Sequence, residues 1–482
     1  MKHFGVEAIK KMSIPKGCNI RMAMQAISYG GMGAAFVVDQ KTSSFDTLIT
    51  DGDVRRALLQ GHGLESNISV VKCSHSQTAT DSMEIYLVDK MLSEKVRLIP
   101  ILDDQGCVVD IYFRDRRASI SLTEPLFDEK ELEYVTECIL SGWVSSGGEF
   151  TKRFEKIMAD YCNAEHGIAC SSGTTALHLV SLAAGIGSGD EVIIPSLSFI
   201  ATANAVTYTG AKPVFVDSEN ETWNIDPSKI EQVITPKTKA IIPVHLYGQP
   251  ADMDPILEIA KKHNLYVFED VAEAHGAKYK GEIVGTLGDA GVFSFYGNKI
   301  ITTGEGGMIL TNDDQIAAQS RLLRDHGMSK ERRYWHTTLG YNYRMTNLQA
   351  SLGVAQMEKI GSILQKKKEI AEYYLESLKD LPGIVHPPEM SWSDNVYWLY
   401  TILVNKDEFG VGVERVTESL KEAGIETRPV FPPIHTQPIY NTGQNLPVSE
   451  NISKIGVSLP SAPNLKKDKI KKISKIIKDC SK

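Results

Sequence analysis

Residues Ala290–Leu310 read AGVFSFYGNKIITTGEGGMIL. An apolar run, Gly291–Phe295, has the look of a buried strand, and it breaks into a polar turn that carries Lys299. A Thr/Gly-rich stretch follows. A lysine at the end of a buried strand loses solvent, which disfavours its charged form and frees the amine for Schiff-base chemistry. The plainer reading is a surface lysine whose stem lies along apolar neighbours.

Working outward, Phe268–Ala277 reads FEDVAEAHGA, with Asp270 just after another apolar run and Glu273 one helical turn further on. A carboxylate at the carboxyl end of a parallel strand points into a crevice. There it would suit a cofactor whose pyridine nitrogen must stay protonated to draw electrons from a substrate carbanion. A helix cap is the alternative. Cys170–Leu177, CSSGTTAL, sets small and hydroxyl residues before a helix expected to begin near Thr174. Free N–H groups at a helix start suit a phosphate, and equally suit a simple capping motif. Ser196–Ala203, SLSFIATA, offers Phe199 as a flat face for a ring or as a core aromatic.

These strand-like runs belong to a longer alternation. Glu191–Ile194, Pro213–Val216, Ala240–Val244 and Tyr266–Phe268 are each followed by helical patterns. Strands alternating with helices predict an α/β fold with a mostly parallel sheet covered on both faces. A long polar helical stretch lies near 350–380, and a smaller C-terminal region ends in an Ile/Lys-rich helix at Ile470–Ile477. Before residue 118 the pattern differs: runs at Ala34–Asp39, Thr47–Thr50, Arg97–Leu102 and Val108–Tyr112 suggest two successive β-β-α units, with helices at Met22–Ser28 and Asp53–Gln60. The charged segment 113–119, FRDRRAS, is the expected linker. The expected division is 1–118, then a large domain over 119–365 and a small one over 366–482.

The 482 residues are 42% apolar and 23% charged, with a net charge of -8. That composition fits a globular enzyme-sized chain of two or three domains, and it gives no electrostatic footprint for nucleic acid or an anionic membrane. No apolar run is long enough for a bilayer, and the N-terminus lacks the pattern of a signal peptide. The seven cysteines include no CxxC pair, which fits free thiols in a reducing cytoplasm, and no residue is assigned to a metal.

Together, SSGTTALHL, PSLSFIATANA, EDVAEAHGA, FSFYGNKIITTGEGG and GYNYRMTNLQA resemble the sugar aminotransferases of the DegT/DnrJ/EryC1/StrS family over roughly residues 120–482. The resemblance implies a fold-type I aminotransferase that uses pyridoxal 5′-phosphate (PLP) and works as a homodimer with shared active sites. It implies Lys299 as the cofactor-bearing, proton-carrying lysine, Asp270 at the pyridine nitrogen and Glu273 near the ring hydroxyl. Gly173, Thr174 and Ser294 would hold the phosphate, Phe199 would stack on the ring, and Asn342 would reach the phosphate across the dimer. L-glutamate would be the amino donor and a nucleotide-linked keto-sugar the acceptor. Dehydrating relatives carry His at the lysine position, and this chain keeps Lys299.

HLYGQPADMDPI, HGMSKERRYWHTTLGYNYRMTN and ETRPVFPPIHTQPIY resemble the branch of the family that acts on GDP-4-keto-6-deoxymannose, while UDP- and dTDP-linked keto-sugars remain alternatives. His435 and Arg344 are candidate substrate contacts or ordinary packed residues. The first block resembles a pair of CBS domains. There Thr50 and Asp53, in TDGD, would meet the ribose of an adenine nucleotide, or would cap the helix that follows. In the second unit Phe113 and Arg116 stand where the hydroxyl and acid should be, which leaves at most one such site. An inactive nucleotide-sensing scaffold is the reading of a different class, disfavoured by the full set Lys299, Asp270 and Ser294.

Overall fold

The structure, a computed structural model, describes residues 6–30, 32–73, 77–93, 96, 98–113 and 120–481. The chain divides into two compact units, Met1–Arg117 and Ala118–Lys482.

In the first unit, β1 (Ser13–Pro15), β2 (Ala34–Val38) and β3 (Phe45–Thr50) form one sheet, and β4 (Ala79–Thr80), β5 (Leu98–Leu102) and β6 (Val108–Phe113) form a second. The two repeat one topology: a short strand lies parallel to the central one, which then makes an antiparallel hairpin with the third. A helix enters each repeat before its central strand, at Ile20–Gly30 and Ile85–Met91. The expected β-β-α units are therefore extended by a leading strand and helix. β1 and β4 are three and two residues long, too short to carry an alternating pattern. Met12, Phe36, Leu98 and Ile111 form a core that joins the repeats. Phe113 ends β6 opposite Leu98 and packs against that core. Arg116 and the rest of the expected linker after Phe113 lie outside the described residues.

The second unit is built on a seven-stranded sheet. Its strands are β7 (His166–Cys170), β8 (Glu191–Pro195), β9 (Lys212–Val216), β10 (Thr238–Ile241), β11 (Tyr266–Asp270), β14 (Ala290–Ser294) and β15 (Gly307–Thr311), with a small hairpin, β12 (Lys278–Tyr279) and β13 (Glu282–Ile283), between β11 and β14. The spatial order is β7-β15-β14-β11-β10-β8-β9, and only β15 runs antiparallel to its neighbours. The strand centres are apolar because both faces are covered. Successive residues serve opposite layers: Ile193, Ile241, Val267 and Phe293 enter one core, and Val192, Ala240, Phe268 and Val292 enter the other.

A smaller layer follows. β16 (Ile384–Val385), β18 (Tyr400–Val404), β19 (Arg428–Pro429) and β20 (Gly456–Leu459) form an antiparallel sheet in the order β16-β18-β20-β19, while β17 (Ser393–Asp394) pairs with β12. The helix Ile360–Leu378 runs through position 365: Ile360 and Ile363 belong to the large core, and Ile370, Tyr374 and Leu378 to the small one. The last helix, Lys467–Cys480, buries Ile470, Ile473 and Ile477 and leaves Lys471, Lys472, Lys475 and Lys478 exposed. No helix among the described residues is long and apolar enough to cross a membrane, and all seven cysteines are free thiols.

Candidate active site

β7, β8, β10, β11 and β14 all point their carboxyl ends to one edge of the sheet, where open α/β sheets place their ligand sites. Asp270 ends β11 and is 5% exposed. Its carboxylate accepts from Thr202 Oγ1 at 2.9 Å and from the Ala272 N–H at 3.1 Å. Burial pushes this carboxyl up, against the pull of those donors.

Ser294 ends β14, and the chain turns so that the Lys299 N–H donates to Tyr296 O at 2.9 Å. Lys299 Nζ stands 3.7 Å from Glu273 Oε1 and 3.7 Å above the centre of the Trp398 ring. Burial lowers the lysine, opposed by the nearby charges of Glu273 and Asp270. Burial likewise lifts Glu273 to about 7, with Lys299 and the Tyr247 N–H (2.8 Å) pulling the other way. His275, buried beside them, is pushed down to about 3 by burial and the Lys299 charge, so its imidazole is neutral. The group set is a desolvated amine flanked by two desolvated carboxyls.

A second corner is polar in a different way. The helix Gly173–Ala183 starts directly after β7, and Ser172 caps it by accepting from the Thr175 N–H at 3.1 Å. The cap leaves the N–H groups of Gly173 and Thr174 at the positive end of the helix with no intrahelical acceptor. Gly173 is required by close approach, because a Cβ there would stand 2.8 Å from Ser294 Cβ. Backbone donors and the Ser294 hydroxyl thus share one small cradle, which fits a phosphate. With the carboxylate of Asp270 and the amine of Lys299, the residues present fit PLP.

The other expected residues fall as follows. Phe199 is 54% exposed, outside the core, with its ring 5.8 Å from Phe431. It lies three residues before Thr202, which holds Asp270. Asn342 is exposed and accepts from Arg344 Nε at 3.2 Å, and Arg344 pairs with Asp325 at 2.8 Å. The Ser171 N–H donates to Tyr343 O at 2.8 Å, which lays GYNYRM beside the helix start.

His435 is 1% exposed, with Nδ1 against Ser196 Oγ at 2.6 Å and Nε2 against Glu450 Oε1 at 3.2 Å. Both ring nitrogens have protein partners, which fits the packed one of its two readings. In the first unit, Thr50 and Asp53 form a reciprocal cap: Thr50 Oγ1 accepts from the Asp53 N–H at 3.3 Å, and Asp53 Oδ2 accepts from the Thr50 N–H at 2.9 Å.

Trp398, Thr202 and Tyr247 went unread in the sequence. Thr202 lies inside the quoted SLSFIATA, and Tyr247 inside HLYGQP. The aromatic run VYWLY at 396–400 was the available signal for Trp398. Tyr247 sits at φ 53, a conformation that is uncommon for a non-glycine residue and often found at functional sites.

Comparison with known proteins converges on the second unit. The family model described as the DegT/DnrJ/EryC1/StrS aminotransferase family matches residues 125–478. The GDP-perosamine synthase of Caulobacter vibrioides is 50% identical over 349 residues, which are 72% of this chain and 94% of that protein. Among solved structures, DesV of S. venezuelae, in complex with a ketimine intermediate, superposes with a TM-score of 0.69 at 34% identity over 73% of this chain and 94% of its own. The putative sugar aminotransferase Spr1654 of Streptococcus pneumoniae in its PLP form does so with a TM-score of 0.70 at 28% identity over 75% of this chain and 98% of its own.

Proposed function

We propose, from the premise that the chain belongs to the DegT/DnrJ/EryC1/StrS aminotransferase family, that it transfers an amino group from L-glutamate to GDP-4-keto-6-deoxymannose, giving GDP-perosamine for a surface glycan. The carrying observation is the convergence of Lys299, Asp270 and Glu273 at one sheet edge, in a chain 50% identical to a GDP-perosamine synthase.

PLP, when bound, supplies the electron sink that stabilises the carbanion at the reacting carbon. The residues supply the rest. Lys299 holds the cofactor and then, as a desolvated amine, carries the proton to and from the reacting carbon. Asp270, kept in place by Thr202 and Ala272, holds the proton on the pyridine nitrogen. Glu273 faces the Lys299 amine and would serve the ring hydroxyl. Gly173, Thr174 and Ser294 bind the phosphate. Phe199, exposed three residues before Thr202, would cover a face of the ring. Asn342 reaches the phosphate of a neighbouring subunit in a homodimer. Arg344, paired with Asp325, would contact the substrate.

A UDP- or dTDP-linked keto-sugar is the second acceptor reading. The test is a coupled assay of the cytoplasmic-type recombinant protein with PLP and glutamate against GDP-, UDP- and dTDP-linked 4-keto sugars. Turnover of the GDP substrate at least about tenfold above the others in kcat/KM supports the assignment. A preference for another base replaces the acceptor. No turnover on any, with PLP retained, favours a nucleotide-sensing scaffold.

For residues 1–118, we read the repeated strand-helix-hairpin as a CBS-like pair with at most one adenine-nucleotide site, at Thr50 and Asp53. The cap holds Asp53 Oδ2 and Arg56 holds Oδ1, so binding ribose there would displace one of the two.

A further inference from the structure

Lys367 stands at the middle of the helix Ile360–Leu378 and is 3% exposed. Among the described residues no carboxylate pairs with it. Its Nζ donates instead to Trp398 O at 2.8 Å, to Ser461 O at 2.7 Å and to Ser461 Oγ at 3.2 Å. A buried ammonium without a counter-ion costs several kcal/mol, and an apolar side chain of equal length would pack there more cheaply. Burial pulls this group down to about 7. Such a cost persists where the bonds it makes are needed, and the carbonyl it grips belongs to Trp398.

Trp398 touches the turn of the reacting lysine at two points. Its indole Nε1–H donates to Asn298 O at 2.8 Å, one residue before Lys299, and its ring face carries the Lys299 amine at 3.7 Å. The Tyr247 ring lies nearly parallel to it, 6.1 Å away and inclined by 20°, and stacks in turn on Phe431. The neighbouring backbone is equally tight. The Val396 N–H donates to Gly248 O at 3.3 Å, and a Cβ on Gly248 would stand 2.8 Å from Tyr397 N. The indole is therefore held by its backbone, its edge and its faces.

We propose that Lys367 is a positioning residue for the transamination read above: it ties the Trp398 backbone to the Ser461 turn and so fixes the indole as the platform on which the Lys299 amine rests. The amine has four rotatable bonds, and each time it lets go of the cofactor it must stay within reach of the reacting carbon. A flat, electron-rich face at van der Waals distance confines it without a competing covalent or strong ionic bond. The charged and titratable groups that otherwise face it are Glu273, Asp270 and His275.

The test compares wild type, Lys367→Met and Trp398→Phe as holoenzymes and as apoproteins. Trp398→Phe keeps a ring but loses the bond to Asn298 O. In both variants kcat is expected to fall by about tenfold or more while KM for L-glutamate stays within about threefold, and the pH midpoint of the PLP absorbance band is expected to move. In apoprotein, competitive acetylation followed by peptide mapping should show Lys299 labelled several-fold faster than in wild type. A Lys367→Met protein that melts lower yet keeps the wild-type kcat, band midpoint and labelling rate has only a structural lysine there, and the proposal fails. If Lys367→Met does not fold, unchanged values in Trp398→Phe overturn it equally. If the wild-type band does not respond to glutamate, the aminotransferase reading itself is lost, and the apoprotein labelling still decides the platform.

Discussion

Two helices in this molecule begin in the same way. Thr50 and Asp53 cap the helix Asp51–Leu59 after β3, and Ser172 and Thr175 cap the helix Gly173–Ala183 after β7, each with reciprocal side-chain and backbone bonds. Each start follows a strand and carries hydroxyl groups, and each motif, TDGD and SSGTT, suggests a ligand. Their surroundings differ. Asp53 is 1% exposed and accepts from Thr50 Oγ1 at 2.6 Å as well as from its N–H. Around Gly173, by contrast, Ser294 closes in from a second strand. Three further sheet-edge residues, Asp270, Glu273 and Lys299, bring groups whose proton affinities burial has displaced. A capped helix start becomes a candidate site when independent elements converge on it, because capping alone satisfies the same donors.

The largest expected effects fall on the C-terminal side of this comparison. Lys299→Ala should reduce transamination by about 10⁴-fold or to background, since it removes both the cofactor anchor and the proton carrier. Loss of a borohydride-sensitive visible band in the variant, with its melting temperature near that of wild type, checks this. Unchanged turnover would take Lys299 out of the site. Asp270→Asn comes next, with kcat expected to drop by about 10²-fold or more while the protein stays folded. The amide keeps the Thr202 contact and loses the charge that holds the pyridine proton. A change within about twofold, roughly 0.4 kcal/mol, is too small for that role.

How much of this was legible follows from length and locality. Five of the seven strands of the large sheet were readable as apolar runs such as Glu191–Pro195, while β7 and β15 went unread, and Asp270, Ser294 and Lys299 were readable because they end or follow such runs. The leading strands of the first unit were hidden by their two- and three-residue lengths. Trp398 and Lys367 were hidden for another reason. Trp398 lies 99 positions from Lys299 and Lys367 lies in a long polar helix, so only the tertiary fold reveals that one carries an amine and the other a carbonyl. His435 shows the converse: its motif was visible, but whether its nitrogens were free depended on Ser196 and Glu450.

An intermediate effect concerns pH and the apoprotein. Burial raises Glu273 to about 7, above its value of roughly 4.3 in an unfolded chain. Between those values the native state binds more protons than the unfolded one, so stability falls as pH rises through the window. The contribution is at most a few kcal/mol, and Lys299 offsets part of it. Glu273→Gln should therefore flatten the decline in apoprotein melting temperature between about pH 4.5 and pH 7. A variant curve parallel to wild type would mean that Lys299 holds Glu273 ionised throughout.

The smallest effect falls on the N-terminal cap and separates its two readings. Asp53 closes the helix through bonds to the Thr50 N–H and hydroxyl, so Asp53→Ala should cost the first unit about 1 kcal/mol, the usual worth of a cap. Turnover at Lys299 should be unaffected, and protein truncated to 118–482 should still bind PLP, since the family match begins at residue 125. A nucleotide that bound only the folded unit would raise its melting temperature in proportion to ln(1 + [L]/Kd), and would have to repay the loss of the Thr50 or the Arg56 bond to Asp53 before reaching a ribose. Binding should therefore be weak, and the stabilisation seen at millimolar adenine nucleotide in wild type should vanish in Asp53→Ala. If the variant loses its 1 kcal/mol and wild type gains nothing from nucleotide, the cap is a cap, and the likeness between the two helix starts ends at their local bonds.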